Sequence, residues 1–382
     1  MNRSLEEYLL AVIRGHKKGI VAKIVLIICS LLANIFKLVL KIRTKLYELG
    51  VKDSTKLDCT VISIGNITAG GTGKTPVAQF LARKFKERGR KPAILNRGYK
   101  AEFDGEIGVV SDGRRIKMDS SEAGDEAYML AKSLPDVPVI IGSERAVTGK
   151  YAYQKFDSDM VILDDGFQHW GLERNLDIVV VDATNPFDNG YLMPRGTLRE
   201  PLSNLARADV FFLTKVNQIS KSQLKGIKSK LTEYNSTALV FETIHSPTYL
   251  RSLEDKKRDG SNLDLTGQQV MSLSGIGNPE SFEETLSSLG AEVVNKVRFE
   301  DHHRYQTEEI LDIFSCAAEE GIDLIITTEK DVVSMPPEVE NSILKQDIEL
   351  KVLGIELEVL TEDFELESLL LKLEGKRWKT RR

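Results

Sequence analysis

Residues 59–76, Cys-Thr-Val-Ile-Ser-Ile-Gly-Asn-Ile-Thr-Ala-Gly-Gly-Thr-Gly-Lys-Thr-Pro, form an apolar β-branched run that breaks into a glycine-rich turn ending in Gly73-Lys74-Thr75. A buried strand, a loop without side-chain bulk and an amphipathic helix in that order read as a phosphate-binding loop, which aims backbone N–H groups and a helix dipole at a polyphosphate. Gly70, Gly71 and Gly73 let the backbone turn inward, Lys74 can reach the β and γ oxygens, and Thr75 can offer a hydroxyl to Mg²⁺. The candidate cradle comprises Thr68, Ala69, Gly70, Gly71, Thr72, Gly73, Lys74 and Thr75. Thr68 departs from the usual pattern, which places Gly or Ala five residues before the last glycine. A glycine-rich turn that carries no ligand is the plainer alternative, and the ordered strand, loop and helix argue against it.

With 382 residues and 41% hydrophobic content, the chain has material for two ordinary α/β domains. A formal charge of −5 argues against a nucleic-acid binder that works through bulk positive charge. Cysteines at 29, 59 and 316 have no paired spacing, which fits a reducing compartment and places the expected site on the cytosolic side. The longest polar stretch, Arg251–Asn262, reads as a surface loop.

The N-terminus departs from this soluble pattern. Ile24–Phe36 carries no charge and is flanked by Lys17, Lys18, Lys23, Lys37, Lys41, Arg43 and Lys45. That run is shorter than the roughly 20 residues a bilayer span needs, although Ile24–Leu40 comes close if Lys37 snorkels. Basic residues continue beyond it and no small-residue cleavage site follows, which argues against a signal peptide. Three readings stay open: a helix lying in the inner leaflet with its lysines on anionic lipid, a true span, and a buried core helix.

Downstream, β-branched runs alternate with helical stretches, the pattern of a parallel sheet covered by helices on both faces. Strands are predicted at Thr60–Ile64, Pro92–Asn96, Val137–Ile141, Met160–Leu163, Asp177–Val181 and Val210–Thr214, with helices at Thr75–Arg88 and Glu144–Gln154. The pattern restarts with strands at Leu239–Thr243, Gln269–Leu273, Glu292–Val297 and Leu324–Thr327 and helices at Pro279–Leu289 and Glu308–Glu320. The expected architecture is an α/β phosphate-loop domain (51–216), a second, smaller α/β domain (217–360), a membrane-associated N-terminal helix (1–50) and a C-terminal helical segment (361–382) that could pack on either domain.

Three further motifs carry chemistry. Met160-Val-Ile-Leu-Asp-Asp-Gly-Phe-Gln-His169 is an apolar strand that delivers Asp164 and Asp165 at its C-terminal end, the end that faces the ligand crevice of an open α/β sheet. A carboxylate there can hold Mg²⁺ directly or through water, while a plain turn closing the strand is the alternative. Gly124-Asp125-Glu126-Ala127 opens a helix, so Asp125 suits either a cap or a base. Asp301-His302-His303 precedes the helix predicted after Thr307; a histidine held by a carboxylate can take a proton from an alcohol near neutral pH. Asp301 or Asp125 could be that carboxylate.

These blocks, together with Asn-Arg-Gly-Tyr (96–99), Leu-Met-Pro-Arg-Gly-Thr-Leu-Arg-Glu-Pro (192–201), Gly-Ile-Gly-Asn-Pro (275–279), Phe-Glu-Asp-His-His (299–303) and Thr-Thr-Glu-Lys-Asp (327–331), resemble the tetraacyldisaccharide 4′-kinase family of lipid A biosynthesis, in family order from about residue 59 to 331. The resemblance implies transfer of the ATP γ-phosphoryl group to the 4′-hydroxyl of an acylated glucosamine disaccharide 1-phosphate, at the cytoplasmic face of the inner membrane. It implies ATP and Mg²⁺ as cofactors, inner-leaflet lipid as a partner, and no nucleic acid. Carried over by motif, Lys74 and Thr75 are the phosphate-loop lysine and metal-side hydroxyl, Asp164, Asp165 and Glu200 belong to the Mg²⁺ and substrate region, and Asp125 with His302 form the base dyad. Arg199, and Arg97 beside it in role, would neutralise phosphate charge. The first histidine of the block, rather than His303, takes the base role.

Other readings remain at this level. Thr214-Lys215-Val216-Asn217 resembles the guanine-reading element of GTPases, with Asn217 where that element has aspartate, so a membrane-associated GTPase is one alternative. A non-catalytic nucleotide-binding adaptor is another, and a kinase of a different lipid-linked sugar is a third.

Overall fold

The computed structural model describes residues 8, 11–13, 15–253, 263–301, 303–336, 338–339, 348–361 and 363–375. In chain order the elements are helix α1 (Ile20–Glu48), β1 (Thr60–Gly65), α2 (Lys74–Glu87), β2 (Pro92–Asn96), β3 (Gly108–Asp112), the short α3 (Ser120–Ala123), α4 (Asp125–Ser133) and β4 (Pro138–Ile141). Then follow α5 (Arg145–Phe156), β5 (Met160–Asp164), β6 (Leu176–Asp182), β7 (Val210–Thr214), α6 (Lys221–Tyr234), β8 (Leu239–Ser252) and β9 (Gln269–Ser274). The chain closes with α7 (Pro279–Ser288), β10 (Glu292–Arg298), α8 (Thr307–Glu319), β11 (Leu324–Thr328), α9 (Glu329–Val333), β12 (Glu349–Val359) and α10 (Asp363–Gly375). The predicted strands and helices fall on these elements; β3, β12, α3, α6 and α9 were not predicted. Arg251 and Ser252 continue β8 rather than opening a loop, and 254–262 lie outside the described residues.

The chain forms two compact units, each assembled from separated stretches. Residues 1–77, 158–243 and 360–382 make the first; residues 78–157 and 244–359 make the second.

In the first unit, β1 pairs in parallel with both β5 and β6, β6 pairs with β7, and β7 pairs with the first half of β8. Strands β5, β6 and β7 are buried at every position and β1 at all but its first. Continuous burial of β-branched residues, rather than alternation, is what a parallel sheet covered on both faces requires. Helix α10 adds a buried stripe of Leu366, Leu369, Leu370 and Leu373, spaced three and four apart as one helical face demands.

Helix α1 belongs to this unit, and it is not a core helix. Its 29 residues run past Lys37 to Glu48, so it is long and apolar enough to cross a membrane, longer than the charge-free run alone suggested. Only Ala22, Cys29 and Ala33 are buried along it, while Ile20, Ile27, Leu31 and Ile35 stand 79%, 61%, 61% and 59% exposed. A helix with large aliphatic side chains in water would squander the energy that burial yields, about 25 cal/mol per Å², so this surface calls for an apolar partner.

In the second unit, β2 and β4 pair in parallel with antiparallel β3 at the edge, and a separate run orders the strands β10-β9-β11-β12-β8. Alternate residues of β9 and β11 feed two cores. Met271, Leu273 and Ile325 pack with Ile310, Phe314 and Ala317 of α8. Val270, Leu324 and Ile326 pack with Phe282 and Leu286 of α7 on the other face.

Candidate active site

The cradle follows β1, a strand with parallel neighbours on both sides, so it opens at the C-terminal end of the first unit's sheet. Gly70 and Gly73 take φ of 115° and 90°, a region that disfavours side chains, and α2 begins at Lys74. Thr68 and Thr72 are buried, whereas Ala69, Gly70 and Gly71 form the exposed tip. Two partners hold the loop in shape. The 192–201 segment lies along it, with Ala69 N–H donating to the Thr197 carbonyl at 2.8 Å and Arg199 N–H to the Ile67 carbonyl at 2.7 Å. Asn66 Nδ2 donates to Thr72 Oγ1 at 2.9 Å.

Next to β1, strand β5 ends at the buried Asp164, and Asp165 follows with φ 57°. Aspartate tolerates this left-handed conformation better than most residues, and it swings the second carboxylate off the strand axis. Arg199 Nη1 donates to Asp165 Oδ1 at 2.7 Å and to Asn66 Oδ1 at 3.2 Å, and Lys74 Nζ lies 3.7 Å from the same Asp165 oxygen. Two cations and one carboxylate thus meet beside the cradle. The turn depends on Gly65, where an added Cβ would fall 2.5 Å from Phe167 Cβ and 2.7 Å from Phe167 N.

Glu200 has other partners than its neighbour Arg199. Its carboxylate is 2% exposed as a residue and accepts from Arg207 Nη2 at 2.9 Å and Asn204 Nδ2 at 2.6 Å. Arg207 is itself packed over the rings of Phe167 and Trp170, 4.1 Å from each centroid, and burial lowers its pKa. The same segment meets α1: Tyr47 stacks on Trp170 at 5.9 Å, Arg43 Nη2 donates to the Gln168 carbonyl at 3.3 Å, and Gln168 Nε2 donates to the Asn66 carbonyl at 2.8 Å. Among the described residues no three His, Cys, Asp or Glu side chains gather into a metal-holding group.

The remaining expected residues stand in the second unit. Asp125 is buried at the first position of α4, after Gly124, whose φ of 81° and 2.6 Å clearance between a built Cβ and the Tyr99 carbonyl admit only glycine. Arg97 is exposed. Asp301 is paired with Lys330 Nζ at 2.5 Å, so the carboxylate next to the histidines has a cation partner on α9, and α9 packs against α4. His302 lies outside the described residues. His303 Nε2 is 2.9 Å from Glu309 Oε2, and its ring stacks on Phe299 at 4.3 Å. Asp331 binds this region together: it accepts from Gly275 N–H at 2.7 Å, Tyr305 hydroxyl at 2.9 Å and Thr328 hydroxyl at 2.6 Å, and its burial raises its pKa.

Asn66, Arg207 and Asp331 were not expected as organisers; Asn66 and Asp331 lie inside motifs quoted above, whereas Arg207 lies at the end of the 3₁₀ helix Leu202–Arg207 that follows one. Lys215 was expected in the guanine-reading role. That side chain is instead buried against Asp182, with Nζ 2.5 Å from Oδ2.

A family model described as Tetraacyldisaccharide-1-P 4′-kinase matches residues 25–374. The chain is 43% identical over 366 residues to a tetraacyldisaccharide 4′-kinase of Halothermothrix orenii, covering 94% of this chain and 95% of that one. It is 40% identical over 321 residues to the same-named protein of Syntrophus aciditrophicus, covering 81% and 85%. Among solved structures it resembles LpxK from Aquifex aeolicus in complex with ATP, with a TM-score of 0.70, 29% identity and coverage of 90% of this chain and 97% of that one.

Proposed function

Because the chain belongs to the tetraacyldisaccharide-1-P 4′-kinase family, we infer that it transfers the γ-phosphoryl group of ATP to the 4′-hydroxyl of a tetraacyldisaccharide 1-phosphate, a step of lipid A biosynthesis. The observation that carries this reading is the meeting of Lys74, Arg199 and Asp165 beside a glycine-rich loop at the end of β1. Phosphoryl transfer passes through a loose transition state with charge spread over the equatorial oxygens, so positioning and electrostatic stabilisation do most of the work. The backbone N–H groups of Gly70–Thr75 bind the phosphate oxygens, Lys74 follows the charge toward the γ group, and Arg199 stabilises it from a position set by Asn66 and Asp165.

The donor set fits Mg²⁺: Thr75, Asp164 and Asp165 present hydroxyl and carboxylate oxygens, the hard ligands this ion takes, and Mg²⁺ in such enzymes keeps most of its shell as water and phosphate. Those three residues would hold it, and its chemistry there is charge neutralisation on the phosphates. Glu200, bound to Arg207 and Asn204, serves by holding the Phe167–Trp170 segment. Asp125 with His302 supplies the base that takes the acceptor proton, an assistance typically worth about 10²–10⁴-fold.

Helix α1 supports a location at the cytoplasmic face of the inner membrane, where an acylated sugar is met with its head group in water. Its exposed aliphatic side chains face lipid and its flanking lysines face anionic head groups.

The test uses purified protein in detergent with Mg²⁺, γ-labelled ATP and tetraacyldisaccharide 1-phosphate. Label should move to the lipid. Label found only in inorganic phosphate, or transfer from GTP and not from ATP, would overturn the reading.

A further inference from the structure

Strand β7 ends at Thr214, which is fully buried, and its hydroxyl donates to the main-chain carbonyl of Thr72 at 3.0 Å. A second acceptor, the Val181 carbonyl, lies farther off at 3.5 Å, so the single hydroxyl proton is better used on the loop. The carbonyl of Thr72 and the N–H of Gly73 belong to one peptide unit. Because that unit is planar and trans, fixing the carbonyl toward β7 turns the Gly73 N–H the opposite way, away from the Thr214 hydroxyl.

The hydroxyl that does this is itself braced. Lys215, the next residue, takes φ 58° and sends its side chain back to a buried ion pair with Asp182 Oδ2 at 2.5 Å. The other oxygen of Asp182 accepts from Thr184 N–H at 2.9 Å and Thr184 Oγ1 at 2.6 Å, and Ala183 N–H donates to the Thr214 carbonyl at 3.0 Å. A lysine in the left-handed region is uncommon, and persists where its surroundings over-determine it. Here the two strand ends are locked to each other on both sides of Thr214.

We propose that Thr214, held by the Asp182–Lys215 ion pair, is a positioning residue that aims the Gly73 amide at the ATP phosphates. It meets the loop through the Thr72 carbonyl, so its loss acts through the direction of one N–H. The same geometry gives Lys215 a structural duty in place of base recognition. The inference rests on the ATP reading above.

The experiment compares wild type, Thr214→Val and Thr214→Ser by KM for ATP, KM for the lipid acceptor, kcat, affinity for a non-hydrolysable ATP analogue and thermal melting. Valine keeps the shape and removes the donor. We expect KM for ATP and the analogue Kd to rise about 3- to 10-fold, the range a single net hydrogen bond supplies, with the acceptor KM within twofold of wild type. Serine should restore ATP affinity to within about twofold, as it keeps the hydroxyl. Should Thr214→Val not fold, Thr214→Cys, of similar size and far weaker as a donor, should show the same rise. Unchanged ATP parameters in the valine variant, or in the cysteine variant when it stands in, would overturn the proposal, and so would a serine variant as impaired as valine. A wild-type enzyme that binds no ATP would sink the ATP reading itself, which separates the two failures.

Discussion

Arg199 Nη1 and Asp165 Oδ1 are 2.7 Å apart, and the same guanidinium nitrogen reaches Asn66 Oδ1 at 3.2 Å, so one cation ties the Asp-Asp-Gly turn to the root of the phosphate loop. A lysine at 199 would carry the charge on one flexible ammonium without the planar fork. We expect Arg199→Lys to lower kcat/KM about 10- to 100-fold and Arg199→Ala to lower it further, with thermal melting near wild type in both. Steady-state kinetics beside a melting curve check this.

Glu200 and Arg207 form a buried pair in which the carboxylate also takes Asn204. Removing one partner leaves the other charge buried without compensation, which typically costs about 3–5 kcal/mol. Arg207→Met should therefore destabilise the protein by about that amount, read as a lowered denaturation midpoint. Glu200→Gln should destabilise it less and leave the Mg²⁺ concentration for half-maximal activity unchanged. A raised Mg²⁺ requirement in a Glu200→Gln enzyme of normal stability would return that carboxylate to the metal.

At Gly65 the chain passes so close to Phe167 that no side chain fits. The clash is with backbone nitrogen as well as Cβ, so it cannot be relieved by a rotamer change. Gly65→Ala should cost about 2 kcal/mol or more, in the range of overpacked cores, and should lower activity too, since Phe167 follows the Asp164-Asp165 turn. Denaturant titration and turnover at saturating ATP test both parts.

In the second unit, Glu283 accepts from Arg298 Nε at 2.7 Å and Nη2 at 2.8 Å, with Lys296 3.0 Å away, and these hydrogen bonds hold its carboxyl below the ordinary value of 4.5. A carboxyl depressed in the folded state binds fewer protons than in the unfolded chain, so its contribution is present above about pH 4.5 and fades as pH falls through the folded value. Wild type should exceed Glu283→Gln in stability at pH 7, and the gap should close on acidification below pH 4.5. A gap that stays constant across that range would show the ion pair to be without effect. Asp331 has the opposite sign: burial raises its pKa, so its charge opposes folding as pH rises through the elevated value.

Much of the fold was legible because its strands are short, β-branched and separated by helices, and the phosphate loop announces itself by glycines that only one backbone path explains. Asp164 and Asp165 were legible by their place at a strand end. What the chain did not disclose is side-chain pairing across long sequence distances. Glu200 sits next to Arg199, yet it is 3₁₀-helical Arg207 that claims it, seven residues on, because Phe167 and Trp170 provide a slot for the guanidinium. Strand β12 carries Glu349, Lys351, Glu356 and Glu358 among its apolar residues, so its periodicity was diluted. The extent of α1 was hidden by Lys37, Lys41 and Lys45, charges a helix can carry on its surface but a run count treats as an end. The ion pair of Lys215 with Asp182 could not be read from a four-residue motif, since its partner lies on another strand 33 residues earlier.

The central claim is that the Gly70–Thr75 loop, with Lys74, hands the terminal phosphoryl group of ATP to one sugar hydroxyl. Phosphorus–proton correlation NMR of the lipid product, made by wild type and by Lys74→Ala under identical conditions, tests it most directly. The account expects a new phosphate correlated with H4′ in the wild-type reaction and a yield lowered by at least about 10²-fold in the variant. A phosphate on another position, or equal product from both enzymes, would contradict it.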